Sequence, residues 1–238
     1  MTSPSRASDV SAVAQDYLKL VWNAQEWSDA PLTTKRLAER LGVTAGTVSE
    51  GVRKLSEAGL IDHPRYGQIA LTDAGREVAL AVVRRHRLIE TLLVETFGYS
   101  WDEVHDEAEV LEHAVSDAFV ERIAAHLGHP ERDPHGDPIP TADGEIRIPA
   151  ARPVSDLAVG EGGVVTRVSD AAGDLLQYFA EVGLVPDAHV SVVERNDGAA
   201  LLGLRVRGGE ASGDDGAASE TSVPLALPAA HAIWVVPA

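Results

Sequence analysis

Apolar positions recur every three or four residues through the first half of the chain, then give way to short alternating runs. Between Ser11 and Ala24, Val13, Tyr17, Leu20 and Val21 share one stripe, which predicts an amphipathic helix. Ser28 to Pro31 interrupts it. Leu37, Ala38 and Leu41 predict a short helix over Thr34 to Leu41, ended by Gly42. Val43-Thr44 is a turn, and Val48, Val52 and Leu55 mark a second helix from about Ala45 to Ala58, stopped by Gly59. Leu60 to His63 and Gln68 to Thr72, either side of a turn at Pro64 to Gly67, read as a β-hairpin. Helix, turn, helix, hairpin is a winged helix-turn-helix.

Thr72-Asp73 caps a long helix expected over Ala74 to Glu95, with Gly98 beyond its end. Ser100 and Glu103 form a capping-box pattern, and the helix they start is expected to run to Leu127. His129 to Pro153 holds six prolines, so it is a linker or an ordered irregular segment. From Val154 the periodicity becomes that of strands, at 162–165, 189–193, 201–206 and 232–236, with one helix at about Gly173 to Val182. Gly208 to Ser222 reads as a loop between strands. The expected class is α+β, with a winged helix-turn-helix over 1–78, a helical domain over 79–150 and a small β-barrel-like domain over 151–238.

Composition sharpens this outline. The net charge is -17, yet the first 100 residues carry 12 basic and 12 acidic side chains, and residues 101–238 carry 8 and 25. The acidic excess is a solubilising surface, and any nucleic acid must meet the N-terminal part. No apolar run reaches the length of a membrane span, and the polar start of the chain lacks the apolar stretch of a signal peptide, so a cytoplasmic protein is expected.

Small and hydroxyl residues occupy the exposed start of the second helix of the helix-turn-helix. Thr44, Gly46, Thr47 and Ser49 suit close approach to base edges, and Glu50 suits a cytosine amine unless it belongs to a solvated face. Arg53, Lys54, Arg65 on the wing, Lys35 and Arg36 are placed to meet phosphates. Double-stranded DNA is the expected partner.

A second chemistry lies in six imidazoles and carboxylates. His86 and Glu90 are four apart on the long helix. On a continuous helix His105, Glu109, Glu112 and His113 would span an arc of about 100°. Val110, Leu111, Ala114 and Val115 surround them with apolar side chains, and buried carboxylates need a cationic partner. With no Cys in the chain, the donors are oxygen and nitrogen, suited to Mn(II), Fe(II), Co(II) or Zn(II). His63, His126, His129, His135, His189 and His231 have no such company in sequence and read as structural or surface residues.

These segments together resemble the diphtheria toxin repressor family of metal-dependent repressors. The residues that carry the resemblance are 37–41 (Leu-Ala-Glu-Arg-Leu) with Thr47-Val48-Ser49, then Arg85-His86-Arg87-Leu88. The segment Glu103 to Glu109 with Glu112-His113, and 134–140 (Pro-His-Gly-Asp-Pro-Ile-Pro), complete it. The resemblance spans nearly the whole chain. It implies a DNA-binding domain, a helical metal-binding and dimerisation domain and an SH3-like C-terminal domain. It also implies two metal sites per subunit: a primary one on Asp16, Glu109, Glu112 and His113, and an ancillary one on His86, Glu90 and His105. Asp170 and Asp174 are the candidates to complete the ancillary site from the SH3-like domain. Iron-type members have Met and Cys where this chain has Asp16 and Glu109, so manganese is the implied metal. Short manganese-type members have Glu where this chain has Lys19, so separate sites are expected rather than a closely bridged pair.

The expected function is that of a homodimeric, Mn(II)-activated transcriptional repressor of metal homeostasis, and not an enzyme. An Fe(II)-dependent repressor of iron uptake is the alternative within the class. A helical-bundle metalloenzyme is the alternative outside it, disfavoured by the lack of a nucleophile or spare base beside the site.

Overall fold

The computed structural model describes residues 7–28, 30–63, 68–170, 173–208 and 220–237. They fall into two compact units. One comprises Met1–His86, Glu112–Val115 and Pro140–Ile146; the other comprises Arg87–Leu111, Ser116–Ile139 and Arg147–Ala238.

In the first unit three helices, α1 (Ala12–Glu26), α2 (Thr34–Leu41) and α3 (Ala45–Glu57), precede an antiparallel pair of two-residue strands, β1 (Ile61–Asp62) and β2 (Ala70–Leu71). The long helix α4 (Asp73–Phe97) begins here and continues into the second unit. Each of the first three helices starts at a hydroxyl cap: Ser11, Thr33 and Thr44 accept from Ala14, Arg36 and Thr47 N–H. Gly42 closes α2 at φ 64°, a left-handed conformation that costs glycine least, and so makes the tight turn into α3. Leu18, Val21, Leu37, Val48, Val52, Ile69 and Val82 form the centre of one apolar core. The helix-turn-helix and the antiparallel strand pair are thus present as expected, while the turn expected at Pro64 to Gly67 and most of the loop expected over Gly208 to Ser222 lie outside the described residues. The packing of α1 on α3 is close: a Cβ on Gly51 would lie 2.8 Å from the Tyr17 ring.

In the second unit α5 (Val104–Leu111) and α6 (Asp117–His126) follow α4. Here the structure differs from the single helix expected over 100–127. Residues 112–116 form a turn, and Ser116 Oγ accepts from Phe119 N–H to start α6 afresh. Apolar periodicity runs on through the break, which hid the cap. The consequence is that Glu112 and His113 lie in the turn and not on the helix that carries His105 and Glu109.

The C-terminal part is a six-stranded antiparallel sheet in the order β3-β8-β4-β5-β6-β7: β3 (Arg152–Pro153), β4 (Gly162–Val168), β5 (His189–Asn196), β6 (Leu201–Arg207), β7 (Glu220–Ala226) and β8 (Ile233–Pro237). Phe179 and Leu176 of α7 (Gly173–Glu181) share its core with Val165, Val190, Leu204 and Val235. A four-residue helix, α8 (Leu227–Ala230), leads into β8. Strands β3 and β7 were not expected. β7 lies within and beyond the stretch read as a loop, and only Val223 and Leu225 of it are buried. Its Pro224 reads as a strand breaker, but β7 is an edge strand, where no neighbour on the outer side needs the N–H that proline lacks. Among the described residues no helix is long and apolar enough to cross a membrane.

Candidate metal centre

The first cluster joins α1 to the turn after α5. Asp16 Oδ1 lies 2.7 Å from His113 Nε2, and that nitrogen lies 3.4 Å from Glu112 Oε1. Glu112 is fully buried. Its Oε1 accepts from Lys19 Nζ at 2.6 Å and its Oε2 lies 2.6 Å from His86 Nδ1, while Arg85 donates to its backbone carbonyl. Burial pushes the Glu112 carboxyl up, but His86 and Lys19 outweigh it and hold the group below its ordinary value. Burial wins at Asp16, whose carboxyl is raised despite His113 and Lys19. The donor atoms of Asp16, Glu112 and His113 lie within 4.8 Å of one another. Separations of 2.7 and 3.4 Å bracket the edge of about 3 Å expected for oxygen and nitrogen donors about 2.1 Å from a divalent ion. These three residues therefore fit a metal ion.

The second cluster lies in the other unit. His105 Nδ1 is 3.3 Å from Glu90 Oε1 and 3.4 Å from Asp170 Oδ2, and Glu109 Oε1 lies 3.5 Å from His105 Nε2. The turn at 112–116 explains this: Glu109 stays on α5 beside His105, four residues away. Asp174, at the exposed start of α7, is not in the cluster, and Asp170 is. His86, expected here, is bonded to Glu112.

Sequence reasoning missed two members. Glu90, Asp133 and His135 form a third group of mutually close donors, all three buried. His135 Nε2 donates to the Trp101 carbonyl at 2.6 Å, and the two rings stack at 21°. That leaves His135 Nδ1 buried without a hydrogen-bond partner, 4.0 Å from Glu90 Oε2. Burial, with Asp137 and Glu90 nearby, pushes the Asp133 carboxyl well up. At His135 burial pulls downward, but Asp133, Glu90 and Asp170 outweigh it and raise the imidazole. Neutral-to-acidic groups crowded around an orphan imidazole nitrogen fit a divalent cation, which would accept that lone pair and offset the carboxylates. The signal available in sequence was the segment 134–140 itself, used for the resemblance and not for its histidine.

The backbone holds His135 in place. Val168 N–H of β4 donates to the His135 carbonyl at 2.9 Å, and Asp133 Oδ1 accepts from the N–H groups of His135 and Asp137. Gly136, at φ 91°, lies so close to β4 that a Cβ would sit 2.0 Å from the Thr166 carbonyl oxygen. Arg167 of β4 bonds Asp137 and stacks over Trp234.

On the helix-turn-helix, Thr44, Gly46, Thr47, Ser49, Glu50, Arg53 and Lys54 are all exposed, as are Lys35 and Arg36 of α2. Ser49 donates to the Ala45 carbonyl, and Thr44 shares a bond with Thr47. Glu50 accepts from Arg53 Nη2 and Nε, at 2.7 and 3.0 Å, and sits 3.5 Å from Lys54, while Arg53 Nη1 donates to Glu57. The Arg53 hydrogen bond holds the Glu50 carboxyl down at about 2. Arg65 lies outside the described residues.

Comparison with known proteins agrees with this anatomy. Residues 9–69 match the family model "Iron dependent repressor, N-terminal DNA binding domain", and residues 72–141 match "Iron dependent repressor, metal binding and dimerisation domain". Residues 152–237 match the FeoA domain. The iron-dependent repressor IdeR of Mycobacterium leprae is 33% identical over 198 residues, which are 78% of this chain and 85% of that protein. The diphtheria toxin repressor of Corynebacterium diphtheriae is 32% identical over 204 residues, 84% of this chain and 83% of that protein. Among solved structures, a manganese-dependent transcriptional repressor in complex with manganese is 52% identical, with a TM-score of 0.87 over 94% of this chain and 100% of that one. The manganese regulator SloR is 30% identical, with a TM-score of 0.76 over 94% and 98%. The chain belongs to the diphtheria toxin repressor family of metal-dependent, DNA-binding transcriptional repressors, which are not enzymes.

Proposed function

We propose that this protein is a Mn(II)-activated repressor that binds operator DNA as a homodimer in the cytoplasm and controls manganese homeostasis, with two metal sites per subunit. The observation that carries the reading is the 2.7 Å approach of Asp16, on α1, to His113, in the turn after α5. It ties the metal-binding segment to the helix that packs, through Tyr17 and Gly51, on recognition helix α3.

The donor chemistry favours manganese. The chain has no Cys and its one Met is Met1, so no cluster offers sulfur. Oxygen-rich sites suit hard Mn(II). The 52% identical structural relative is named manganese-dependent and the 30% identical SloR a manganese regulator, whereas the 33% identical IdeR is named iron-dependent. Fe(II) is accordingly the second reading, supported by that name. Co(II) and Zn(II) are expected to bind in vitro.

Asp16, Glu112 and His113 hold the primary ion in this reading, and Glu109 joins them only through the resemblance. Glu90, His105, Asp170, Asp133 and His135 supply the donors of the second, with His86 assigned there as the resemblance implies. A bound dication supplies charge that offsets the clustered carboxylates and links α1 to the turn. Asp16 then positions α1, Tyr17 transmits that position to α3, and the exposed start of α3 is presented to the major groove. In a dimer the two recognition helices would be set about 34–36 Å apart, one turn of DNA. DNA-binding titrations against Mn(II), Fe(II), Co(II) and Zn(II) under anaerobic conditions test the reading. Equal operator affinity with Mn(II) and with excess chelator would overturn it.

A further inference from the structure

The C-terminal sheet turns one face into its core and leaves the other open. On β6, Arg205 and Arg207 alternate with the core residues Leu204 and Val206, so both arginines leave the strand on the open face. In the strand register Ser191 of β5 stands opposite Arg205, and His189 stands opposite Arg207. Gly162 of β4 stands opposite Ser191. A Cβ on Gly162 would lie 2.3 Å from the Val190 carbonyl oxygen, so the position stays bare and the face is hollow there. These residues, with Glu220 of β7, line a cavity of about 350 Å³.

Charge singles this cavity out. Residues 151–238 hold five arginines and no lysine against 12 Asp and Glu. Three of the arginines sit on a carboxylate: Arg152 on Glu161 at 3.1 Å, Arg195 on Asp197 at 2.7 Å, and Arg167 on Asp137. Arg205 reaches only Glu220, at 3.4 Å with both side chains more than half exposed, and among the described residues Arg207 reaches no carboxylate. An acidic domain thus leaves two guanidiniums about 7 Å apart along one strand, beside an imidazole, where like charges repel. We propose that this face binds the phosphate group of a small phosphomonoester. The two arginines offer planar donor forks that match phosphate oxygens, and the His189 ring N–H and the Ser191 hydroxyl are further donors. The volume lies at the lower end of the range of about 300–1,000 Å³ usual for small-molecule sites, which leaves room for an organic part beside the phosphate. Glu220 holds Arg205 loosely in the free protein and competes with the anion for it. None of the lining residues belongs to a metal cluster, so the proposal stands apart from the metal reading.

The test titrates the full chain, dialysed free of metal, with glycerol 3-phosphate, inorganic phosphate and succinate by calorimetry, and locates binding by amide shifts in nuclear magnetic resonance. Glycerol 3-phosphate should bind with a dissociation constant of about 1 mM or below, more tightly than inorganic phosphate or succinate, and should shift residues 189–191 and 205–207. Arg205→Gln and Arg207→Gln should each weaken it about tenfold or more, and Glu220→Gln should tighten it about threefold. Arg122→Gln, at an exposed arginine outside the lining, should change nothing. A melting curve shows each variant folded. No binding of either phosphate at about 10 mM would overturn the proposal. So would a loss with Arg122→Gln equal to that with Arg207→Gln, which would mark a response to net charge alone, or an unchanged affinity in Glu220→Gln. Succinate or inorganic phosphate binding as tightly as glycerol 3-phosphate would overturn the assignment to a phosphomonoester.

Discussion

Asp16 Oδ1 and His113 Nε2 lie 2.7 Å apart although 97 positions separate them in the chain. This approach joins the N-terminal helix of the DNA-binding part directly to the metal-binding segment, beside the 2.6 Å bond of Lys19 to Glu112. The pair therefore predicts where metal dependence resides. Asp16→Ala should leave operator affinity in excess Mn(II) close to that measured with chelator. The loss should be about 5–150-fold, the range of a coupling of 1–3 kcal/mol. Fluorescence anisotropy with labelled operator, with and without Mn(II), measures it. A variant that keeps the wild-type response would show that α1 is not the linked element.

The two clusters should behave differently. His105→Ala or His135→Ala should weaken activation and remove about one ion per subunit in calorimetry, leaving the Asp16 cluster able to bind. His113→Ala should abolish activation. The reverse pattern, with His105→Ala removing all metal and His113→Ala harmless, would exchange the roles assigned to the clusters.

The winged helix-turn-helix was legible because local signals agree there: periodic apolar residues, hydroxyl caps at Thr33 and Thr44, and Gly42 in the turn. The donor types were legible too. Their grouping was not, because it depends on the break after Leu111, which sends Glu112 and His113 to Asp16 and leaves Glu109 beside His105. The cap at Ser116 was the available signal, outweighed by apolar residues on both sides of it. His135 was missed for a different reason. Its partners Glu90, Asp133 and Asp170 are brought to it by the path of the 134–140 segment along β4, and no spacing encodes that path.

Gly136 tests how far β4 governs the second cluster. Gly136→Ala adds a Cβ 2.0 Å from the Thr166 carbonyl and a left-handed φ that costs alanine about 1 kcal/mol or more. Thermal unfolding should show destabilisation of about 1–3 kcal/mol or more, and calorimetry should show weakened binding at the second cluster with the Asp16 cluster retained. An unchanged melting temperature and full stoichiometry would mean the segment yields freely.

Operator binding should depend steeply on salt despite the net charge of -17. Counterion release gives a slope of about −0.9 per phosphate in a log–log plot, so a dimer should show about −5 or steeper. Glu50 holds Arg53 and neighbours Lys54 on the exposed face of α3. Arg53 keeps its bond to Glu57, so Glu50→Gln should loosen these cations rather than free them, raise affinity for unrelated DNA and steepen its slope. Anisotropy titrations at several salt concentrations measure both. Unchanged binding to unrelated DNA would leave the Glu50–Arg53 pair without a role in recognition.

Metal choice gives the last prediction. Mn(II) binds weakly in the Irving–Williams order, so a manganese sensor cannot select its ion by affinity alone. Selection must come from whether the bound ion orders α1. Oxygen-rich sites help, since Mn(II) accepts about six donors while Zn(II) prefers about four. An ion satisfied by four donors can leave Asp16 or its neighbours unengaged. Zn(II) is therefore expected to bind the wild type more tightly than Mn(II) and yet to activate operator binding less. Introducing sulfur should move the preference, because softer ligands favour later metals: the double change Asp16→Met with Glu109→Cys should shift activation toward Fe(II) and Co(II). Anaerobic DNA-binding titrations with each metal, set beside calorimetric affinities, check both statements. A double variant that still responds best to Mn(II) would show that ligand type does not set the response, and Zn(II) activating as well as Mn(II) would show that coordination number does not either.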